Sequence, residues 1–381
     1  ATRTSGPMDD VWHRACGRDA VFWSPPHMLG IVGTMVLGAA LLAETARRSA
    51  GWSIAAGGLV LAAGNFVVAE YDTDVPQFDV LWYLPALALG ASVALGLVRM
   101  LVARPWAATE AALAHVAFIG LTGAFLLTQD FPPPALPLLV APALALDAAT
   151  ARGWNAPGRT AAFVVALFAA YVPVRNWLGS GIELDAVDVL AGLPLAYVAA
   201  LPFIALGGGA RSVLVPGAPA AAAAVLLLVL LVFAGTALAH DPGQGDEAGT
   251  ARLEVTADDF ALAATGQLNR RTCATLREGY LVARRAGAEK RAPLTIRGCA
   301  FAGRLTADDR GRWFVYAELR DGERTVETWL PVDAGDGRRR VADDDRFAYL
   351  PVQRSSGAGE LVGGVILYGG MLALLVAAFR L

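Results

Sequence analysis

Nine apolar stretches, each at or near the ~20 residues needed to cross a hydrocarbon layer of ~30 Å, decide what this 381-residue chain can fold into. They run near 27–46, 52–70, 80–102, 106–128, 133–149, 159–177, 186–207, 217–239 and 360–380. In lipid every backbone N–H and C=O must be satisfied within the segment, so such stretches read as helices. Hydrophobic residues make up 56% of the chain, which places it with integral membrane proteins. The fifth stretch is the most interrupted, by Pro134, Pro137 and Pro142, a pattern tolerated where neighbours satisfy the freed carbonyls. Residues 1–26 contain no apolar core, so no cleavable leader is expected ahead of the first span.

Arginine placement predicts the orientation. Arg47 and Arg48, Arg99 and Arg104, Arg152 and Arg159, and Arg211 lie in or beside the loops after spans one, three, five and seven. The intervening loops (70–79, 129–134 and 175–185) are acidic or nearly neutral. The arginine-bearing loops are therefore expected in the cytoplasm. The N-terminal tail and residues 240–357 are expected outside, and the C-terminus inside. Arginine supplies all but one of the 31 basic residues, Lys290 being the exception, and alanine runs are frequent. That usage points to a GC-rich bacterial genome and hence to a bacterial inner membrane. A net charge of −3 is too small to argue for a nucleic-acid partner. The expected surroundings are the lipid bilayer and a homo- or hetero-oligomeric membrane complex.

Residues 240–357 break the apolar pattern. Short alternating runs such as A-R-L-E-V-T-A (251–257), F-A-L-A-A-T (260–265), A-P-L-T-I-R (292–297), R-W-F-V-Y-A-E-L-R (312–320) and T-V-E-T-W-L-P-V (325–332) are separated by turn residues. Period-two alternation of this kind predicts a small antiparallel β-sandwich or barrel. An amphipathic helix is expected around Cys273 to Arg285. Cys273 and Cys299 on an oxidising face are expected to form a disulfide, the alternative being two buried thiols. The predicted organisation is an outward segment (1–26), an eight-helix membrane domain (27–239), an extracytoplasmic β-sandwich domain (240–357) and a last helix (358–381).

Chemistry-bearing residues are scarce in so apolar a chain, yet several crowd the entrance to the first span. Asp9, His13, Cys16, Asp19 and His27 lie within a stretch that also holds Arg18 and the turn Ser24-Pro25-Pro26. In helical geometry Asp9 and His13 stand one turn apart on one face. A helix, a turn and a second helix can bring Asp9, His13 and His27 together, a donor set suited to copper, zinc or iron. Asp19 or Cys16 would then supply a fourth ligand or orient an imidazole. The same groups would also serve as a hydrogen-bonded cap over the helix ends.

The string W-H-R-A-C-G-R-D-A-V-F-W-S-P-P-H (12–27), with Asp9 four residues before His13, resembles the copper-site segment of the C subunit of particulate methane and ammonia monooxygenases. In that family an aspartate, a histidine four residues on and a second histidine farther along ligate copper. An Arg-Asp pair and a proline precede the second histidine. The resemblance implies that Asp9, His13 and His27 hold copper and that Arg18 and Asp19 match the Arg-Asp pair. Thirteen residues separate His13 from His27, one more than in the family. The family's later asparagine–histidine–histidine set finds only His115 and His240 available here.

Other polar residues near the spans are candidates because ionisable groups in lipid are expensive. Asn65 with Glu70 at the outer end of span two, and Asp130 at the end of span four, would complete an outward site or else sit as solvated loop groups. His115 near mid-span reads as a proton or metal relay, or as a histidine hydrogen-bonded to a neighbouring helix. His240 follows A-L-A at the end of span eight; cleavage there would expose an N-terminal histidine able to chelate copper, and uncleaved it would lie near the outer face. No phosphate-binding loop, H-E-x-x-H or C-x-x-C occurs. Two functional classes follow. One is a copper-binding membrane protein, either an oxygen-activating subunit or a copper handler. The other is a metal-free structural or assembly subunit whose exported domain binds a partner protein.

Overall fold

A computed structural model describes residues 25–68, 80–129, 138–178, 184–207, 246–269, 273–285, 288–351 and 357–378. Among them eight helices form: α1 (Pro25–Ala46), α2 (Ala50–Asn65), α3 (Tyr83–Leu101), α4 (Ala107–Leu127), α5 (Val140–Ala151), α6 (Ala156–Leu178), α7 (Ala186–Gly207) and α8 (Gly357–Ala378). Six of the described helical segments are long and apolar enough to cross a membrane. The stretch 217–239 lies outside the described residues. The fifth stretch becomes a helix only from Val140, with Pro142 in its first turn. There a missing N–H costs nothing, since the first amides of a helix have no internal acceptor.

Helix starts follow local chemistry. The Ser49 side chain accepts from the Trp52 amide and opens α2. Asn155 Oδ1 accepts from the Gly158 amide at 2.9 Å at the start of α6, and Asp185 Oδ1 from the Asp188 amide at 2.7 Å at the start of α7. Each satisfies an amide that would otherwise face lipid or headgroups unpaired.

The helix α3 is central, and glycines set how closely its neighbours approach. A Cβ on Gly90 would stand 2.1 Å from the Gly64 carbonyl oxygen of α2, and one on Gly96 would stand 2.7 Å from the Phe203 carbonyl of α7. Small residues at such crossings allow backbone-to-backbone packing, the main adhesive force where solvent is as apolar as the side chains. Gly90→Ala should therefore push α2 from α3 and lower the thermal midpoint in detergent by an amount corresponding to about 1–3 kcal/mol. A melting curve of the purified variant checks this. Gly120→Ala, at a glycine with open space around it, is the matched control.

Residues 246–350 form one antiparallel nine-stranded sheet ordered β4-β3-β7-β8-β9-β1-β2-β6-β5. Its strands are β1 (Asp246–Asp258), β2 (Ala261–Asn269), β3 (Leu276–Arg285), β4 (Ala288–Pro293), β5 (Thr295–Arg297), β6 (Ala300–Thr306), β7 (Gly311–Asp321), β8 (Arg324–Ala334) and β9 (Arg339–Leu350). Of the two expected forms, sandwich or barrel, the strands take one close to the barrel: a single sheet curled until its ends meet rather than two packed sheets. Leu281 of β3 and Leu294 pack against Gly303 of β6, and the Leu294 amide donates to the Gly279 carbonyl at 2.9 Å. The expected helix at 273–285 is also corrected. Residues 276–285 are strand β3, paired with β4 on one side and β7 on the other.

The inner face carries Leu253 and Val255 of β1 with Trp313, Val315 and Leu319 of β7. A second cluster holds Val282, Phe314 and Tyr316, with Trp329 packed against it. Phe314 and Trp329 meet edge to face at 4.8 Å between ring centroids, and the Arg284 guanidinium lies 5.0 Å over the Tyr316 ring. Arg284 and Arg291 both pair with Glu318, at 3.0 and 2.6 Å. β7 is therefore buried on both faces.

At one end of the sheet Asp259 takes a left-handed conformation (φ 53°), which aspartate tolerates, and its carbonyl accepts from the Gly335 amide at 2.9 Å. In the neighbouring β8–β9 turn the Asp336 carboxylate accepts from Arg340 Nε and Nη2 (3.0 and 2.6 Å) and from the Arg338 amide (2.9 Å). These bonds, the Arg340 side chain first, hold its carboxyl below the ordinary value of 3.8. A depressed carboxylate contributes stability above its unfolded pKa and loses it as pH falls through the folded one. The turn should accordingly loosen only below the usual aspartate range. Amide exchange of residues 335–340 between pH 5 and 2 checks this, and Asp336→Asn should abolish the step.

Candidate functional site

Contacts between helices define two ends of the bundle. At one end lie the α1–α2 loop, the end of α3, the starts of α4 and α6 and the end of α5. At the other lie the start of α1, the end of α2 and the starts of α3 and α7. His27 stands half-buried in the first turn of α1, at this second end. Asp9, His13, Cys16, Arg18, Asp19, Glu70, Asp130 and His240 lie outside the described residues. Among the described residues no group of three or more His, Cys, Asp or Glu side chains gathers to hold a metal.

Asn65 and His115 meet. Asn65 closes α2, His115 lies on α4, both are fully buried, and Asn65 Nδ2 is 3.0 Å from His115 Nε2. The close approach of α2 and α4 at Gly58, where a Cβ would touch Ala114 and His115, brings the two helices within reach. Of the two readings of His115, the hydrogen bond to a neighbouring helix is the one present. The bond ties the end of α2 to α4 inside the bundle. Nearby toward the same end, the hydroxyls of Tyr83 on α3 and Tyr171 on α6 are hydrogen-bonded, with their rings stacked 5.8 Å apart.

The densest polar network stands at the other end, and sequence reading missed its centre. Asp147 on α5 is fully buried. Its Oδ1 pairs with Arg99 at the end of α3, and its Oδ2 accepts from both the amide and the hydroxyl of Thr109 at 2.8 Å. One carboxylate thus neutralises an arginine, caps the first turn of α4 and joins three helices. Beside it Arg104 donates through Nε and Nη2 to Glu110 Oε2 (2.9 and 2.6 Å) and through Nη1 to Ser53 Oγ at 3.1 Å. The signal was present as an aspartate inside an apolar run, L-A-L-D-A-A (144–149), where an ionisable residue invites a search for its partner.

Cys273, just before β3, and Cys299, between β5 and β6, are disulfide-bonded. The bond links the two ends of the curled sheet. No protein-family model, curated protein or solved structure matches the chain.

Proposed function

We propose that this chain is a bacterial inner-membrane protein that holds copper at its outer face through Asp9, His13 and His27. The observation carrying the proposal is the D-x3-H…R-D…P-P-H segment, together with His27 in the first turn of α1 at the end opposite the arginine loops. A carboxylate oxygen and two imidazole nitrogens form a donor set that copper(II) favours, with zinc or iron as alternatives. Bound there, copper would supply redox chemistry or an exchangeable ion. This chain's part is to hold the imidazole of His27 in a fixed helix turn beside an apolar bundle. The Cys273–Cys299 bond supports an oxidising compartment for the β domain and hence an outward N-terminus.

Metal analysis of the purified full chain beside His13→Ala and His27→Ala variants tests the reading. Stoichiometric copper in the parent, lost in both variants while their circular dichroism is unchanged, is the expected result. A parent without transition metal after copper supplementation overturns it, and then the exported β domain as a docking module for another protein becomes the better account.

A further inference from the structure

Three loops at the Asp147 end of the bundle repeat one pairing of residues. Arg48 precedes Trp52, Arg104 precedes Trp106 and Arg152 precedes Trp154, each at the entry to a helix. The tryptophans are 71%, 45% and 50% exposed, unusual for indoles unless they face a medium that suits them. The Arg104–Ser53 bond and the Asp147 network hold the loops at one level. Among the described residues this end carries Arg47, Arg48, Arg99, Arg104, Arg152 and Arg159 against three carboxylates, Glu44, Glu110 and Asp147. Among the described residues the opposite end carries Asp185 and Asp188, and of arginine and lysine only Arg175.

An indole at the edge of a bundle rests where hydrocarbon gives way to headgroups, its ring in apolar contact and its N–H in water. Three such rings at one level fix the depth of the guanidinium groups beside them to that of lipid phosphates. A guanidinium offers five N–H donors in a fork that matches a phosphodiester. Arg104 spends its donors on Glu110 and Ser53 and so shapes its own loop. Arg48 and Arg152 are differently placed. Arg48 pairs with Glu44 on an exposed helix end, and Arg152 donates through Nη1 to the Ala148 carbonyl at 3.2 Å. Both keep further donors directed to solvent. We propose that this end of the bundle is a docking surface for anionic phospholipid. Arg48 and Arg152 seat phosphodiester headgroups, and Trp52, Trp106 and Trp154 set their depth.

Native mass spectrometry of the full chain in detergent, with phosphatidylglycerol and phosphatidylcholine of matched acyl chains, tests the assignment. Near an anionic surface each arginine is worth about fivefold in binding. Two seats therefore predict that phosphatidylglycerol is retained over phosphatidylcholine by about 25-fold. Arg48→Gln or Arg152→Gln should each cut the preference about fivefold, and the pair should remove it. Lysine at both positions, which keeps the charge without the fork, should restore part of it, which separates charge from folding. Equal retention of the two lipids, or an undiminished preference in the folded double glutamine variant, overturns the proposal. Displacement of phosphatidylglycerol by millimolar inorganic phosphate also overturns it, in favour of a free-anion site. None of these readouts depends on whether the chain holds copper.

Discussion

Asp147→Ala should be the most damaging single substitution in the membrane domain, costing about 3–5 kcal/mol, the usual price of leaving one member of a buried ion pair behind. The variant strands the Arg99 guanidinium, whose side chain is only 12% exposed, and removes the oxygen that accepts from both the amide and the hydroxyl of Thr109 at the first turn of α4. Asp147→Asn should cost less, because its amide oxygen still accepts from Thr109 while the charge on Arg99 goes unbalanced. The double change Arg99→Met with Asp147→Leu should lose less than the sum of the single variants, since two apolar groups replace two charges of similar volume. Thermal or dodecyl-sulfate unfolding of these variants, of Arg99→Met and Asp147→Leu alone, and of the parent in one detergent checks the order and the sum. Equal midpoints for Asp147→Ala and the parent would show that water or detergent solvates Arg99 and that the network holds nothing together.

The contrast between Asp147 and the spans explains what was legible in the sequence. A membrane span declares itself locally, because lipid imposes one length and one polarity on every crossing. The segments near 27–46, 80–102, 106–128 and 186–207 correspond closely to α1, α3, α4 and α7. Asp147 is different: its partners Arg99 and Thr109 are 48 and 38 residues away, and no local pattern joins them. In the β domain, β8 was readable because Val326, Leu330 and Val332 alternate with more polar neighbours. β3 was not, since Leu281, Val282 and Ala283 are all fully buried. Val282 joins the Phe314–Tyr316 cluster while its neighbours face the main core, so period two disappears and the run resembles a helix face. β9 escaped because Asp343, Asp344 and Asp345 interrupt any alternation, and it is held by register with β1. For the candidate metal site, residue types in order were visible, and of the three proposed ligands His27 alone lies among the described residues.

Removing the disulfide, by Cys273→Ser with Cys299→Ser, should lower the stability of the β domain by about 3.5 kcal/mol. That is the chain entropy released when a loop with a sequence separation of 26 residues is no longer closed. For a domain of this size the loss corresponds to roughly 15 °C in melting temperature. The effect should be local. The neighbours in the strand order are joined by backbone pairing, whereas β3 and β6 meet at the seam through Leu281, Leu294 and Gly303 and the single Leu294–Gly279 backbone bond, beside the cystine. Hydrogen exchange on the full chain should therefore rise first in β3, β5 and β6. Protection in β1, paired along its length with both β2 and β9, should change least. Treating the unmodified protein with a dithiol reductant should reproduce the pattern, since reduction leaves two thiols where the bond had been. Uniform loss of protection across all nine strands would mean that the seam folds together with the rest of the sheet. An unchanged melting point would mean that the leucine contacts alone close it.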